Sequence, residues 1–127
     1  MVSIVLISHS RTLANGAADL ARQICSDGVV VVPAGGTGDD RLGTSTVLIA
    51  AAVAFADRGD GVVLIPDMGS SVLSAKSLLP EFTESRVVLV DAPFVEGAVA
   101  AAIAASAGAD LHAVVAAAEE ARHVRKF

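Results

Sequence analysis

The chain has 127 residues and a net charge of −5, with 54% hydrophobic and 18% charged side chains. A basic patch is usual in proteins that bind the phosphate backbone, and exposed rings are usual where bases stack, but Trp and Tyr are absent. A nucleic-acid partner is therefore not expected. A single Cys excludes an intrachain disulfide, and with three scattered His it argues against a zinc site. The length is that of one domain, over residues 1–127.

Neither end of the chain has the pattern of a membrane segment. The first apolar run follows Met1 without the basic region of a signal peptide. The alanine-rich C-terminal part is interrupted by Glu96, Asp110 and Glu119 before it reaches membrane-spanning length. We expect a cytoplasmic protein without membrane insertion.

Short apolar runs and longer helical patterns alternate along the chain. Runs rich in Val and Ile without strict alternation are typical of strands that are covered on both faces. They predict strands over 2–7, 29–32, 61–65 and 86–90. Apolar residues at three- and four-residue spacing predict helices over 11–26, 44–57, 70–79, 94–107 and 111–122, with Pro80 ending the third and Asp110 capping the fifth.

This order predicts an α/β fold, because alternating strands and helices form parallel sheets through right-handed crossovers. We expect an open, doubly wound, four-stranded parallel sheet in the order 2-1-3-4, with helices on both faces. Ala98, Ala102 and Ala105 form a helix face that packs either within the chain or against a second copy. The basic end, residues 122–126, is expected to fray in solvent.

The site is expected beyond the carboxyl ends of the strands, where strand order reverses. In this order the crevice lies between strands 1 and 3, which His9 and Asp67 follow directly. Neighbouring strands are about 4.8 Å apart, so the two side chains can meet. A carboxylate that accepts one ring N–H leaves the other nitrogen as a nucleophile or base. The alternative is a surface His beside a surface Asp with no role.

A glycine-rich turn after strand 2 and two helix starts lie at the same edge. Such turns expose backbone N–H groups to anions, and helix starts add a favourable dipole. Three polar turns around one His suit a phosphoryl group, although a mobile turn explains the glycines equally well. The candidate phosphoryl-binding residues are Ser10, Gly35, Gly36, Thr37, Gly38, Gly69, Ser70 and Ser71.

Other chemistries lack their sequence patterns. The loop carries no Gly-Lys-Ser/Thr of a nucleotide-binding P-loop, strand 1 is not followed by Gly-x-Gly-x-x-Gly, and no Gly-x-Ser-x-Gly is present. We expect Asp39 and Asp40 to be solvated loop charges and Cys25 to be inert. His112 and His123 receive no chemical role, and Arg11 either contacts phosphate or is a solvated helix residue.

Three segments together resemble a known family. They are Ile-Val-Leu-Ile-Ser-His-Ser from residue 4, Gly-Gly-Thr-Gly-Asp with Leu-Gly-Thr-Ser over 35–45, and Pro-Asp-Met-Gly-Ser-Ser from residue 66. They resemble the DhaM phosphotransferase subunits of phosphoenolpyruvate-dependent dihydroxyacetone kinase, whose core is a mannose-type enzyme IIA domain. The resemblance covers nearly the whole chain, and the glycine-rich loop favours the dihydroxyacetone branch over the sugar branch.

The resemblance implies that His9 carries a phosphoryl group from the phosphocarrier protein HPr to ADP held on the DhaL subunit. A third subunit, DhaK, binds the dihydroxyacetone. It also implies a homodimer. We expect no cofactor and no metal. Some members continue into HPr-like and enzyme I-like domains, whereas this chain stops at Phe127.

We therefore hypothesise that neutral His9 attacks phosphorus through Nε2 while Asp67 orients Nδ1–H. Backbone N–H groups of residues 35–38 and of the third helix start would stabilise the phosphoryl oxygens. Two alternatives stay open. One is a mannose-type sugar enzyme IIA that delivers to a IIB protein, and the other is a non-catalytic, flavodoxin-like module that binds an anion.

Overall fold

A computed structural model describes residues 1–39 and 41–127. Its parallel strands are β1 (Ser3–Ser8), β2 (Val31–Gly35), β3 (Val62–Pro66) and β4 (Val87–Leu89). They form one sheet in the order β2-β1-β3-β4, so the predicted fold class and strand order are confirmed.

Helices cover both faces of this sheet. They are α1 (Arg11–Ile24), α2 (Thr46–Ala56), α3 (Ser70–Leu78), α4 (Phe94–Ser106) and α5 (Leu111–Glu120). Short 3-10 turns follow α3 at Leu79–Glu81 and α5 at Ala121–His123. Side chains of α1, α4 and α5 pack on one face, and those of α2 and α3 on the other.

Strand β1 lies at the centre of the sheet. It pairs in parallel with β2 on one side and β3 on the other, and it is buried along its whole length. Ile4 and Leu6 belong to the core under α1 and α4, whereas Val5 and Ile7 belong to the core under α2 and α3. The alternation places successive side chains on opposite faces, as a two-residue period requires. Strand β1 therefore delivers its last residues to a fixed position between β2 and β3.

The second strand begins and ends later than the sequence predicts. It includes Pro33, which the prediction placed in the following turn. A strand at the edge of a sheet tolerates proline when the missing N–H would have faced outward. The backbone carbonyl of Val31 points away from β1, because it accepts hydrogen bonds from Arg22 Nε and Nη2 at 3.0 and 2.6 Å. Pro33 lies two residues further along the strand, so its backbone nitrogen also points away from β1.

For the alanine face of α4, the structure selects packing within the chain, which is one of the two expected arrangements. Ala98, Ala102 and Ala105 are buried in the core of this chain, where small side chains let α4 approach the sheet, so they are not available to a second copy. The basic end does not simply fray. Arg122 binds the backbone carbonyl and the carboxylate of Asp91, and Lys126 Nζ lies 3.8 Å from Glu96 Oε2.

Over residues 1–39 and 41–127, none of the helices is both long enough and apolar enough to cross a bilayer.

Replacing Ser3 by Ala is expected to stabilise the fold. Ser3 is buried in β1, and its hydroxyl has no hydrogen-bond partner among the described residues. A buried unsatisfied hydroxyl costs about 1–3 kcal/mol, so Ser3→Ala should raise the free energy of unfolding by about 1 kcal/mol. Urea denaturation measures the change. A lower free energy of unfolding in the variant would show that the hydroxyl is satisfied in solution.

Candidate functional site

The end of β1 and the end of β3 meet in the crevice that the sequence predicts. Ile7 pairs with Pro66, and the Asp67 amide donates to the Ile7 carbonyl at 2.8 Å. This pairing brings the next residues side by side, so His9 Nδ1 lies 3.1 Å from Asp67 Oδ1. The His9 amide also donates to Asp67 Oδ2 at 3.0 Å. The carboxylate therefore holds both the backbone and the ring of His9.

Asp67 is surrounded by hydrogen-bond donors. Its side chain is only 11% exposed, yet the carboxylate is well supplied with partners. Besides the His9 ring, the hydrogen-bond donors to this carboxylate are the Ser71 hydroxyl, the His9 amide, the Ser8 hydroxyl and the Met68 amide. Burial alone would raise the pKa of Asp67, but these donors outweigh burial and lower that pKa to about 2. Asp67 is therefore ionised throughout the physiological pH range. It accepts hydrogen bonds but does not take up a proton.

The opposite nitrogen of the ring faces a different group. Ser70 Oγ lies 2.6 Å from His9 Nε2. Because Asp67 is an anion, Nδ1 carries the proton of a neutral ring, and the Ser70 hydroxyl then donates to the Nε2 lone pair. Gly69 lies beside the ring and has a φ of +52°. A Cβ at Gly69 would lie 3.9 Å from Nε2. The arrangement leaves Nε2 without a proton and turned towards the start of α3.

The glycine-rich loop is fastened to the end of β1 at both of its ends. The Gly36 amide donates to the Ser8 carbonyl at 3.1 Å, and the Gly43 amide donates to the His9 carbonyl at 3.0 Å. Gly36, Gly38 and Gly43 all adopt positive φ, which glycine does without steric cost. The loop is thus held beside His9, as the expected site requires.

Two of the predicted hydroxyl donors are engaged elsewhere. Ser10 caps α1, accepting the Leu13 amide at 3.1 Å. Thr37 donates its hydroxyl to Asp39, whose second carboxylate oxygen accepts Arg41 Nε at 2.8 Å. Asp39 is exposed, as expected of a solvated loop charge, and it also pairs with Thr37 and Arg41. The other acid of the predicted solvated pair, Asp40, lies outside the described residues.

Gly35 is the last residue of β2, and its position reflects packing more than ligand contact. A Cβ at Gly35 would lie 2.7 Å from both the Ala14 Cβ and the Ser10 carbonyl oxygen. The glycine therefore allows α1 to start close against β2. Arg11 contributes to the same region, since its Cβ would be 3.3 Å from a Cβ at Gly36.

Ser8 is the site residue that the sequence analysis missed. It is completely buried, and it donates to Asp67 Oδ2 at 2.8 Å while accepting the Ser10 amide at 3.0 Å. A hydroxyl that ends a run of Val, Leu and Ile directly before the candidate histidine was the available signal.

The other two histidines and the cysteine lie on other elements. His112 is in α5 and His123 in the last 3-10 turn. Burial chiefly raises the pKa of the Cys25 thiol, consistent with an inert side chain. Within the described part of the chain, no three His, Cys, Asp or Glu side chains cluster as metal ligands.

Comparison with known proteins decides the family. The family model EIIA-man, described as "PTS system fructose IIA component", matches residues 3–115. The chain belongs to the mannose-type enzyme IIA family. Within it, the chain is 38% identical over 106 residues to the phosphoryl donor subunit DhaM of a phosphoenolpyruvate-dependent dihydroxyacetone kinase 2 from Listeria innocua, covering 81% of this chain and 85% of the relative. The resemblance to DhaM subunits is therefore confirmed.

Other relatives of this enzyme IIA chain differ in length. The Escherichia coli DhaM phosphoryl donor subunit is 38% identical over 122 residues, which cover 91% of this chain but 26% of that protein. The chain thus spans about a quarter of that relative. The crystal structure of the unknown function protein EF1359 superposes with a TM-score of 0.85 at 33% identity, covering 94% of this chain and 93% of the other.

The low pKa of Asp67 predicts how the stability of this enzyme IIA fold depends on pH. A carboxyl whose pKa falls to about 2 on folding stabilises the native state by about 2 kcal/mol at pH 7. This contribution is complete above the unfolded pKa of about 4 and is lost as the pH falls from there through about 2.

Asp67→Asn removes the titrating group, so the gap in unfolding free energy between wild type and variant should close as the pH falls from 5 to 2. Denaturant unfolding at several pH values measures it. A constant gap over that range would contradict the lowered pKa.

Gly35→Ala should destabilise the protein because the added methyl meets backbone and Ala14 at 2.7 Å. Such overpacking costs about 1–3 kcal/mol, measurable by urea denaturation. Gly16→Ala in α1 is the matched control, since a Cβ there has nothing within 4 Å. That control should gain about 0.5–1 kcal/mol from helix propensity. Equal effects of the two substitutions would refute the packing role of Gly35.

Proposed function

We propose that this chain is a phosphohistidine carrier and that His9 accepts the phosphoryl group on Nε2. One observation carries the proposal: an ionised Asp67 holds Nδ1 at 3.1 Å, while Nε2 faces the Ser70 hydroxyl and the start of α3. A neutral imidazole with its proton on Nδ1 has a free electron pair on Nε2, which is the requirement for a nucleophile.

The transfer is a displacement at phosphorus. The Nε2 pair forms the new N–P bond while the bond from phosphorus to the donor's leaving atom breaks, and that atom keeps the bonding pair. Nδ1 retains its proton, so the phosphorylated ring becomes cationic, and the adjacent Asp67 anion stabilises it. When the group moves on, the acceptor oxygen forms the new bond to phosphorus and the N–P pair returns to Nε2.

Donors beside Nε2 support the developing negative charge on the phosphoryl oxygens. Gly69 is the N-cap of α3 and Ser70 is its first residue, and their amides donate to no group within the described residues. A helix start offers free N–H groups and a favourable dipole to an anion. The Ser70 hydroxyl can turn from Nε2 to a phosphoryl oxygen. We propose that the loop anchored to β1 adds a further donor at Gly38, because the Gly36 amide already donates to the Ser8 carbonyl.

The relatives support a particular pathway for the group. Both the Listeria and the Escherichia relatives are named as phosphoryl donor subunits of phosphoenolpyruvate-dependent dihydroxyacetone kinase. We propose that residues 1–127 act as one enzyme IIA-like domain and homodimer. It takes the group from phospho-HPr and passes it to ADP on DhaL, and DhaK supplies the dihydroxyacetone. No cofactor or metal enters this scheme.

A second candidate keeps the same His9 chemistry but changes the acceptor. The matching family model is described as a fructose IIA component, which favours a sugar branch delivering to a IIB protein. The DhaM relatives favour the first candidate. Loss of label from the phosphorylated chain to ADP-loaded DhaL, and not to a IIB protein, separates them.

Substitution of His9 tests the carrier role directly. After incubation with phosphoenolpyruvate, enzyme I and HPr, the wild type should gain one acid-labile, base-stable phosphoryl group by intact mass. His9→Ala should gain none. His112→Ala and His123→Ala are the matched controls and should be labelled like the wild type. Failure of the wild type to take label would leave the non-catalytic anion-binding module.

A further inference from the structure

We infer that Ser8 is a positioning residue for the proposed phosphoryl transfer. Its buried hydroxyl fixes the Asp67 carboxylate so that Oδ1 faces His9 Nδ1, which keeps the ring proton off Nε2. This inference rests on the proposed function of His9. Ser8 itself touches neither the ring nor the space in front of Nε2, so it acts through Asp67.

The direction of the Ser8 hydroxyl bond is determined by its neighbours. The Ser10 amide donates to Ser8 Oγ at 3.0 Å. Because an amide N–H is only a donor, the Ser8 oxygen is the acceptor there and its own proton is left for Asp67 Oδ2 at 2.8 Å. The carboxylate is ionised and accepts, so the chain of bonds runs in one direction from Ser10 through Ser8 to Asp67.

The two carboxylate oxygens are held from different sides. Oδ2 accepts the Ser8 hydroxyl and the His9 amide, whereas Oδ1 accepts the Met68 amide and faces the His9 ring. Ser8 is the side-chain donor on Oδ2. Without it, the His9 amide at 3.0 Å is the remaining one of these two donors on Oδ2. The carboxylate, still held by the Met68 amide and the Ser71 hydroxyl, is then less firmly fixed about its Cβ–Cγ bond.

A turned carboxylate is a poorer acceptor for Nδ1–H, which is then left with the longer contact to Ser71 Oγ at 3.3 Å. The neutral ring then moves its proton to Nε2 more often, where it hydrogen-bonds to Ser70 Oγ, 2.6 Å away. A protonated Nε2 has no electron pair for phosphorus. Loss of the Ser8 hydroxyl therefore lowers the reactive fraction of His9 without altering the surface that a phosphoryl donor meets.

The same strand contains a matched control. Ser3 is also in β1 and is 1% exposed, against 0% for Ser8, but its hydroxyl has no partner within the described residues. The two serines thus share residue type, strand and burial, and they differ in the contact with Asp67. An effect of Ser8→Ala that Ser3→Ala lacks is an effect of that contact.

The first experiment measures the ring directly by ¹⁵N NMR of His9 in the full chain at a pH where the ring is neutral. Wild type and Ser3→Ala should show mostly protonated Nδ1. Ser8→Ala should shift the population towards protonated Nε2, and Ser8→Thr, which keeps the hydroxyl, should restore it. An unchanged tautomer ratio in a folded Ser8→Ala protein would overturn the inference.

The second experiment measures phosphoryl transfer from phospho-HPr under conditions where each variant is fully folded. Ser8→Ala should lower kcat about tenfold, the order of one charge-assisted hydrogen bond, with KM for phospho-HPr within about twofold. Ser3→Ala should match the wild type. A fall in kcat of equal size in both serine variants, or an effect of Ser8→Ala on KM alone, would refute a role through Asp67.

The two proposals fail in distinguishable ways. If the wild type takes no phosphoryl group, the carrier function fails, while the tautomer ratio still decides whether Ser8 orients the ring through Asp67. If the wild type is labelled and Ser8→Ala changes neither ratio nor kcat, the carrier function stands and the positioning role of Ser8 is lost.

Discussion

The hydrogen bond between His9 Nδ1 and the Asp67 carboxylate joins the ends of two neighbouring strands, and the rest of the site is arranged around it. Its geometry depends on the register of β1 against β3, because the two side chains follow paired residues. A slip of one residue would send one of them to the opposite face of the sheet. The buried apolar residues that fix this register therefore also fix the chemistry of the ring.

Asp67 shows how a buried carboxylate is kept charged. Burial works against ionisation, and hydrogen bonds from backbone amides and serine hydroxyls reverse its effect until the pKa lies near 2. The same bonds that stabilise the anion also restrict its orientation. Charge and geometry are thus supplied by one set of groups, and a substitution among them alters both.

Sequence reasoning predicted the sheet order and the His9–Asp67 contact because both depend on strong signals: buried apolar runs, and polar residues directly after them. It misplaced β2, because Pro33 reads as a turn unless the strand is known to lie at an edge. It missed Ser8, whose partner Asp67 is 59 residues away along the chain. It could not foresee local contacts such as Thr37 with Asp39 or Gly35 with Ala14, because these contacts have no distinct sequence pattern.

The outer edge of β2 has a consequence for how copies of this chain behave when crowded. An exposed strand edge is a template on which another extended chain can add, and this leads towards aggregation. Here two outward-facing positions are closed, because the Arg22 guanidinium occupies the Val31 carbonyl and Pro33 has no N–H to give. The strand at the opposite edge, β4, has only three residues. Both borders of the sheet therefore discourage the addition of a further strand, so copies of this chain are hindered from associating edge to edge.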